Sequence, residues 1–165
     1  MTTTFTQVEA CLNSRPLTPL SSDPNDLHAL TSGHFLIGRP LLAIPESDVM
    51  TIHHNRLSRW QLLQKINQQF WSRWSSEFLT RLQQRPKWLN HRKNIQVNDL
   101  VIIKDNLPPQ QWKMGRVIQV HPGQDDLVRV VTLRTKDGNF KRPINKLCLL
   151  PLLDDSIDNS ESNVI

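Results

Sequence analysis

The 165-residue chain has no tyrosine, only two cysteines, only five glycines and no long apolar run. Each shortage closes off a class of protein. Cys11 and Cys148 lie at opposite ends of the chain, a spacing that supports neither a disulfide framework nor a zinc site. Such cysteine usage fits a reducing compartment. No stretch approaches the ~18 consecutive apolar residues that a membrane-spanning helix needs. The opening Met1-Thr2-Thr3-Thr4-Phe5 has neither the charged start nor the apolar run of a signal peptide. The chain therefore reads as intracellular, with no membrane partner. There is no glycine-rich phosphate loop and no nucleophile elbow. Hydrophobic residues are 38% of the chain, which is low for one well-filled core.

Catalytic chemistry is equally sparse. The acidic residues are scattered, and no pair has a spacing that suggests a shared metal. Glu9 on the first helical segment reads as part of a solvated face. His53 and His54 are adjacent, so regular structure points them different ways, while His34, His91 and His121 stand alone. The expectation is a chain with no catalytic residue, no metal ligand and no cofactor.

What the sequence does have is positive charge. Lysine and arginine number 20 against 15 acidic residues, giving a net charge of +5 and a pI near 9.6. That balance suggests a polyanionic partner, nucleic acid before an anionic membrane surface. The charge is also unevenly placed. Residues 1–55 are slightly acidic. Residues 56–93 hold Arg56, Arg59, Lys65, Arg73, Arg81, Arg85, Lys87, Arg92 and Lys93 against Glu77 alone. The segment from Asp154 to Ile165 is acidic and rich in serine and asparagine, the composition of a disordered tail.

Hydrophobic spacing divides the chain into four. Phe5, Val8 and Leu12 predict a short helix that Asn13, Ser14 and Pro16 bring to an end. Residues 13–55, broken by five prolines, read as loop with a short helical turn capped by Asp26 or Thr31. The apolar island Phe35-Leu36-Ile37 within it is expected to pack against the preceding helix. Leu57, Trp60, Leu63, Phe70, Trp74, Phe78 and Leu82 form one helical stripe, capped by Ser58 or Asn55 and ended by Pro86. From residue 95 onward the pattern is β. Strands are expected at 97–103, 115–121, 127–135 and from Phe140, with a tight hairpin at Asp137-Gly138 and a closing strand at 146–150. Five short strands in about 55 residues suggest a small closed barrel, which leaves no exposed strand edge.

Lysine and arginine neutralise phosphates and release counterions. The candidate nucleic-acid contacts on the β segment are Lys104, Lys113, Arg116, Arg129, Arg134, Lys141, Arg142 and Lys146. Trp112, in a proline-rich loop, could stack on a base. Its plainer role is to plug one end of the barrel.

Seven motifs in order carry a family resemblance. They are Cys11-Leu12-Asn13-Ser14-Arg15-Pro16-Leu17-Thr18-Pro19-Leu20, His34-Phe35-Leu36-Ile37-Gly38-Arg39-Pro40-Leu41, Arg56-Leu57-Ser58-Arg59-Trp60 and Phe70-Trp71-Ser72-Arg73-Trp74-Ser75-Ser76-Glu77-Phe78-Leu79. Then follow Val97-Asn98-Asp99-Leu100-Val101, Trp112-Lys113-Met114-Gly115-Arg116-Val117 and Phe140-Lys141-Arg142-Pro143-Ile144-Asn145-Lys146-Leu147-Cys148. Together they resemble the C-terminal region of integrases of BEL/Pao-type retrotransposons, a DUF5641-like segment. The resemblance implies an α+β chain in four parts: residues 1–55, a helical remnant of an RNase H-like core; 56–94, a long basic amphipathic linker helix; 95–151, an SH3-like five-stranded barrel; and 152–165, the acidic tail. In such integrases an Asp-Asp-Glu triad binds two divalent metals, but no residue here matches the triad. The expectation is thus a non-enzymatic, DNA-binding part of an integrase, nuclear when it acts in an integration complex. Its partners would be duplex DNA, other copies of itself or the remaining integrase domains. Lys113, Arg116, Lys141, Arg142 and Lys146 match the family's basic positions. The alternative reading is a protein-interaction module whose barrel binds an acidic peptide or a chromatin protein.

Overall fold

A computed structural model describes residues 2–21, 23–83, 95–124 and 127–150. The expected tail and the last part of the linker, 84–94, lie outside those residues. Helix α1 (Thr2–Asn13) ends where the sequence predicts. The Ser14 hydroxyl donates to the Cys11 carbonyl at 2.7 Å and closes its last turn.

The following segment is more ordered than its prolines suggest. β1 (Pro16–Pro19) pairs antiparallel with β2 (Ala29–Thr31). Both prolines stand at the ends of β1, where a missing N–H disturbs the ladder least. Thr31 then starts α2 (Ser32–Ile37), its amide donating to His34 Nδ1 at 3.0 Å. Gly38, at φ 72°, ends it in the left-handed region that glycine enters without strain.

The apolar island does not pack as expected. Phe35, Leu36 and Ile37 are 74, 62 and 51% exposed. The reason lies in Gly33, which is buried and turns its side of α2 onto the chain at residues 39–41. A Cβ there would sit 3.0 Å from Leu41. With Gly33 inward, the larger side chains face out.

Helix α3 (Arg59–Gln83) begins with a reciprocal cap. The Ser58 amide donates to Gln61 Oε1 at 2.9 Å, and the Gln61 amide donates to Ser58 Oγ at 3.3 Å. Its buried residues are Lys65, Asn67, Gln68, Trp71 and Leu79. Three of these five are polar, which the apolar stripe did not foretell.

Strands β3 (Leu100–Ile103), β4 (Lys113–Pro122), β5 (Val128–Thr135), β6 (Gly138–Pro143) and β7 (Leu147–Leu149) form one antiparallel sheet in the order β6-β5-β4-β3-β7. The first strand is shorter than expected because Asn98 adopts φ 80° and turns the chain before Leu100. The five short strands expected here are present as one antiparallel sheet, with β6 and β7 at the two ends of its order. Between them runs only a 3₁₀ turn, Ile144–Lys146. Val101, Ile103, Val117, Val128, Val131, Leu133 and Leu147 gather into one buried cluster.

β3 is buried on both faces. Its alternate residues Leu100 and Ile102 join Cys148 and Leu150 in a second cluster, which Leu79 of α3 completes. Leu27 and Ala29 pack against the same cluster. One strand therefore ties the first cluster to α3 and to the N-terminal segment.

Candidate nucleic-acid interface

The sheet is held to α3 by an aromatic seal. Phe70, Trp74 and Phe78 recur every four residues and stack in sequence, with Phe70–Trp74 and Trp74–Phe78 centroids 6.3 and 5.6 Å apart. Trp112, from the loop before β4, meets Trp71, Trp74 and Phe78 edge-on at 4.9, 5.9 and 5.6 Å. These are the T-shaped geometries that ring quadrupoles favour. Its indole N–H points to Ser14 Oγ at 3.3 Å, and that of Trp71 donates to the Leu107 carbonyl at 2.8 Å. Trp112 is thus a packing hub between helix, sheet and the end of α1. It sits at the helix–sheet junction, where its ring is packed by residues of α3.

The basic residues fall into three groups. Arg116 and Arg134 face each other across β4 and β5, a like-charge pairing that is unfavourable unless each finds a partner. Both do so on the N-terminal segment. Arg116 donates to the carbonyls of Asn98 at 3.0 Å and Asp26 at 2.6 Å, and Arg134 donates to the Pro24 carbonyl. Arg116 is 4% exposed, so its charge serves the interior. It strengthens a neighbouring feature too. The Asp26 carboxyl is held below its ordinary range, first by the His28 amide at 2.8 Å, then by the His28 ring, with Arg116 adding to the effect.

A second group surrounds Phe140. Lys113 Nζ lies 5.7 Å from its ring centroid and the Arg142 guanidinium 5.6 Å, both within cation–π range. Lys113 also pairs with Asp137 at 3.0 Å. In the third group, Lys104 and Lys146 meet where β3, the 3₁₀ turn and the end of α3 converge. The Lys104 amide donates to the Lys146 carbonyl at 2.8 Å, and its Nζ reaches Thr80 Oγ1 at 3.2 Å. Gln83 fixes the same corner by donating to the carbonyls of Asn145 and Leu147. Lys141 and Lys146 are exposed, and so is Arg129 at the start of β5. Sequence reasoning left out Lys136, exposed in the β5–β6 turn; its place beside the Asp-Gly turn signal could have drawn attention to it. On α3, Arg59 and Arg81 are exposed, and Arg73 pairs with Glu77 at 3.0 Å.

Little here suggests covalent chemistry. The thiols of Cys11 and Cys148 are both buried, and burial pushes each up from 9.0 to about 11. They stay protonated and unreactive at neutral pH. Among the described residues, no three His, Cys, Asp or Glu side chains are grouped to hold a metal ion. No helix among them is long and apolar enough to cross a membrane.

An antiparallel sheet sealed by one basic helix is the unit that these contacts define. The model of DUF5641, a family of unknown function, matches residues 58–150, and the chain belongs to that family. The match begins at the residue that caps α3 and ends at Leu150 of the second core cluster. No curated protein and no solved structure matches the chain.

Proposed function

We propose that the chain binds duplex DNA through its phosphates, without reading sequence. One observation carries this reading. Lys104, Lys141, Arg142 and Lys146 form no salt bridge with a described carboxylate, while the sheet that bears them is fixed by two buried clusters. Unneutralised cations on a rigid frame release counterions when phosphates replace those ions. Exposed Lys136 extends the set. Arg116, Arg134 and Trp112 have internal partners and act by holding the frame.

The finer reading follows the seven sequence motifs. The sheet corresponds to an SH3-like barrel, and residues up to 55 to the end of an RNase H-like core. The chain is then the DNA-binding C-terminal portion of a BEL/Pao-type integrase, associated with DNA integration in the nucleus as part of a multimer, with strand transfer left to the metal-binding core. The family match covers the last four of these seven motifs and part of the third.

Neutralising Lys141, Arg142 and Lys146 to glutamine together tests the proposal. Binding of a 20-base-pair duplex at low salt should drop at least about tenfold, with melting temperature unchanged, since each side chain lies at the surface or over Phe140. Unaltered DNA affinity would favour the rival in which the sheet binds an acidic peptide.

A further inference from the structure

A cavity of about 560 Å³ lies between α1, the first half of α3, the 43–50 segment and the proline-rich loop at 106–111. Its lining differs from the rest of the molecule. On a chain of net charge +5, it contains Glu46 and Asp48 and no lysine, arginine or histidine. Trp60, 51% exposed, gives it an aromatic wall, and Pro108 and Pro109 line the opposite side.

The acidic wall is fixed in place. Gln68 accepts from the Val49 amide at 3.1 Å and donates to the Ser47 carbonyl at 2.9 Å, holding the backbone on either side of Asp48. The site thus combines apolar walls, an exposed indole and two carboxylates on a chain that is otherwise basic.

From this combination we infer that the cavity binds an arginine side chain presented by a partner protein. The aliphatic stem suits the apolar walls. The planar guanidinium stacks on indole and has five donors for the two carboxylates. An ammonium lacks the planar face, and an acidic or phosphorylated segment meets only like charge. The inference stands apart from DNA binding, because none of the cations proposed to contact phosphate lines this cavity.

The test uses the full chain and a blocked pentapeptide, Gly-Ala-Arg-Ala-Gly, alongside versions with lysine or glutamine at the centre. The arginine peptide should shift the Trp60 indole N–H resonance and bind tighter than either control. Glu46→Gln with Asp48→Asn should weaken that binding about fivefold or more, the scale of an exposed charge pair together with an aromatic contact. Both side chains are exposed, and Asn keeps the oxygen that accepts the Met50 amide, so the double variant should fold. Trp60→Leu should abolish the spectral response, and DNA affinity should be unchanged in all of these variants. Equal binding of the glutamine peptide, equal or tighter binding of the lysine peptide, or indifference to the double substitution would overturn the inference.

Discussion

The two halves of α3 are both covered by other parts of the chain, but by different physics. The C-terminal half buries Trp71 and Leu79 and stacks Phe70, Trp74 and Phe78 around Trp112. The N-terminal half buries Lys65, Asn67 and Gln68 and leaves Trp60 and Ile66 about half exposed. One interface excludes water from apolar surface. The other uses side chains as hydrogen-bond clamps: Lys65 on the Ile52 carbonyl, Gln68 on residues 47 and 49, and Asn67 on the Cys11 thiol. Hydrophobic burial supplies most folding free energy, whereas a satisfied polar contact adds little net stability and costs much when broken. The first half of α3 therefore places loops, and the second half holds the fold.

Substituting the hub tryptophan and the exposed one should separate these roles most clearly. Trp112→Ala should lower stability by about 3–5 kcal/mol in chemical unfolding, the range for a large aromatic removed from a packed site. Trp60→Ala should change it by no more than about 0.5 kcal/mol, as surface positions do. Comparable losses in the two variants would erase the distinction.

A clamp should fail locally. Lys65→Met leaves the Ile52 carbonyl without its donor, at a cost of about 1–3 kcal/mol. Hydrogen exchange should then speed up at residues 47–52 and stay slow in β3–β5. Uniform loss of protection would show that the clamps belong to the core. Arg116→Met should act on a similar scale, freeing the 23–28 segment from the sheet. Limited proteolysis should cut that segment sooner, with the sheet intact.

The smallest effect concerns pH. The buried thiols of Cys11 and Cys148 are raised from 9.0 to about 11. Between those values the unfolded chain gives up thiol protons that the folded chain keeps, so stability falls as pH rises through this window. Melting curves should show that decline in the native chain, and Cys11→Ala with Cys148→Ala should flatten it.

Much of the second half was legible in the sequence, because its elements obey simple periods. Alternation in Val128–Thr135, the Asp137-Gly138 turn and the four-residue steps of Phe70, Trp74 and Phe78 all specify their local structure. The boundaries missed were set by single backbone angles, as at Asn98. The first half was harder to read. A stripe drawn from apolar residues cannot find Lys65 or Gln68, whose burial depends on carbonyls far away in sequence. β1 was hidden by its two prolines. The exposed Phe35 island follows from which side of α2 Gly33 presents, and no local pattern records that. Among the candidate site residues, charge alone could not separate Arg116, closed inside by Asn98 and Asp26, from Lys141 at the surface. Long-range partners make that separation.

In the function proposed above, the sheet held by the aromatic half of α3 is the frame that binds a polyanion. The most direct test is the salt dependence of duplex DNA binding for the native chain and for Lys141→Gln with Arg142→Gln and Lys146→Gln. The native chain should bind at low salt, with affinity falling steeply as salt rises. The triple variant should lower the log–log slope by roughly 2–3, since each phosphate that is no longer neutralised accounts for about 0.9. An identical slope in both proteins, or no binding by the native chain at low salt, would contradict it.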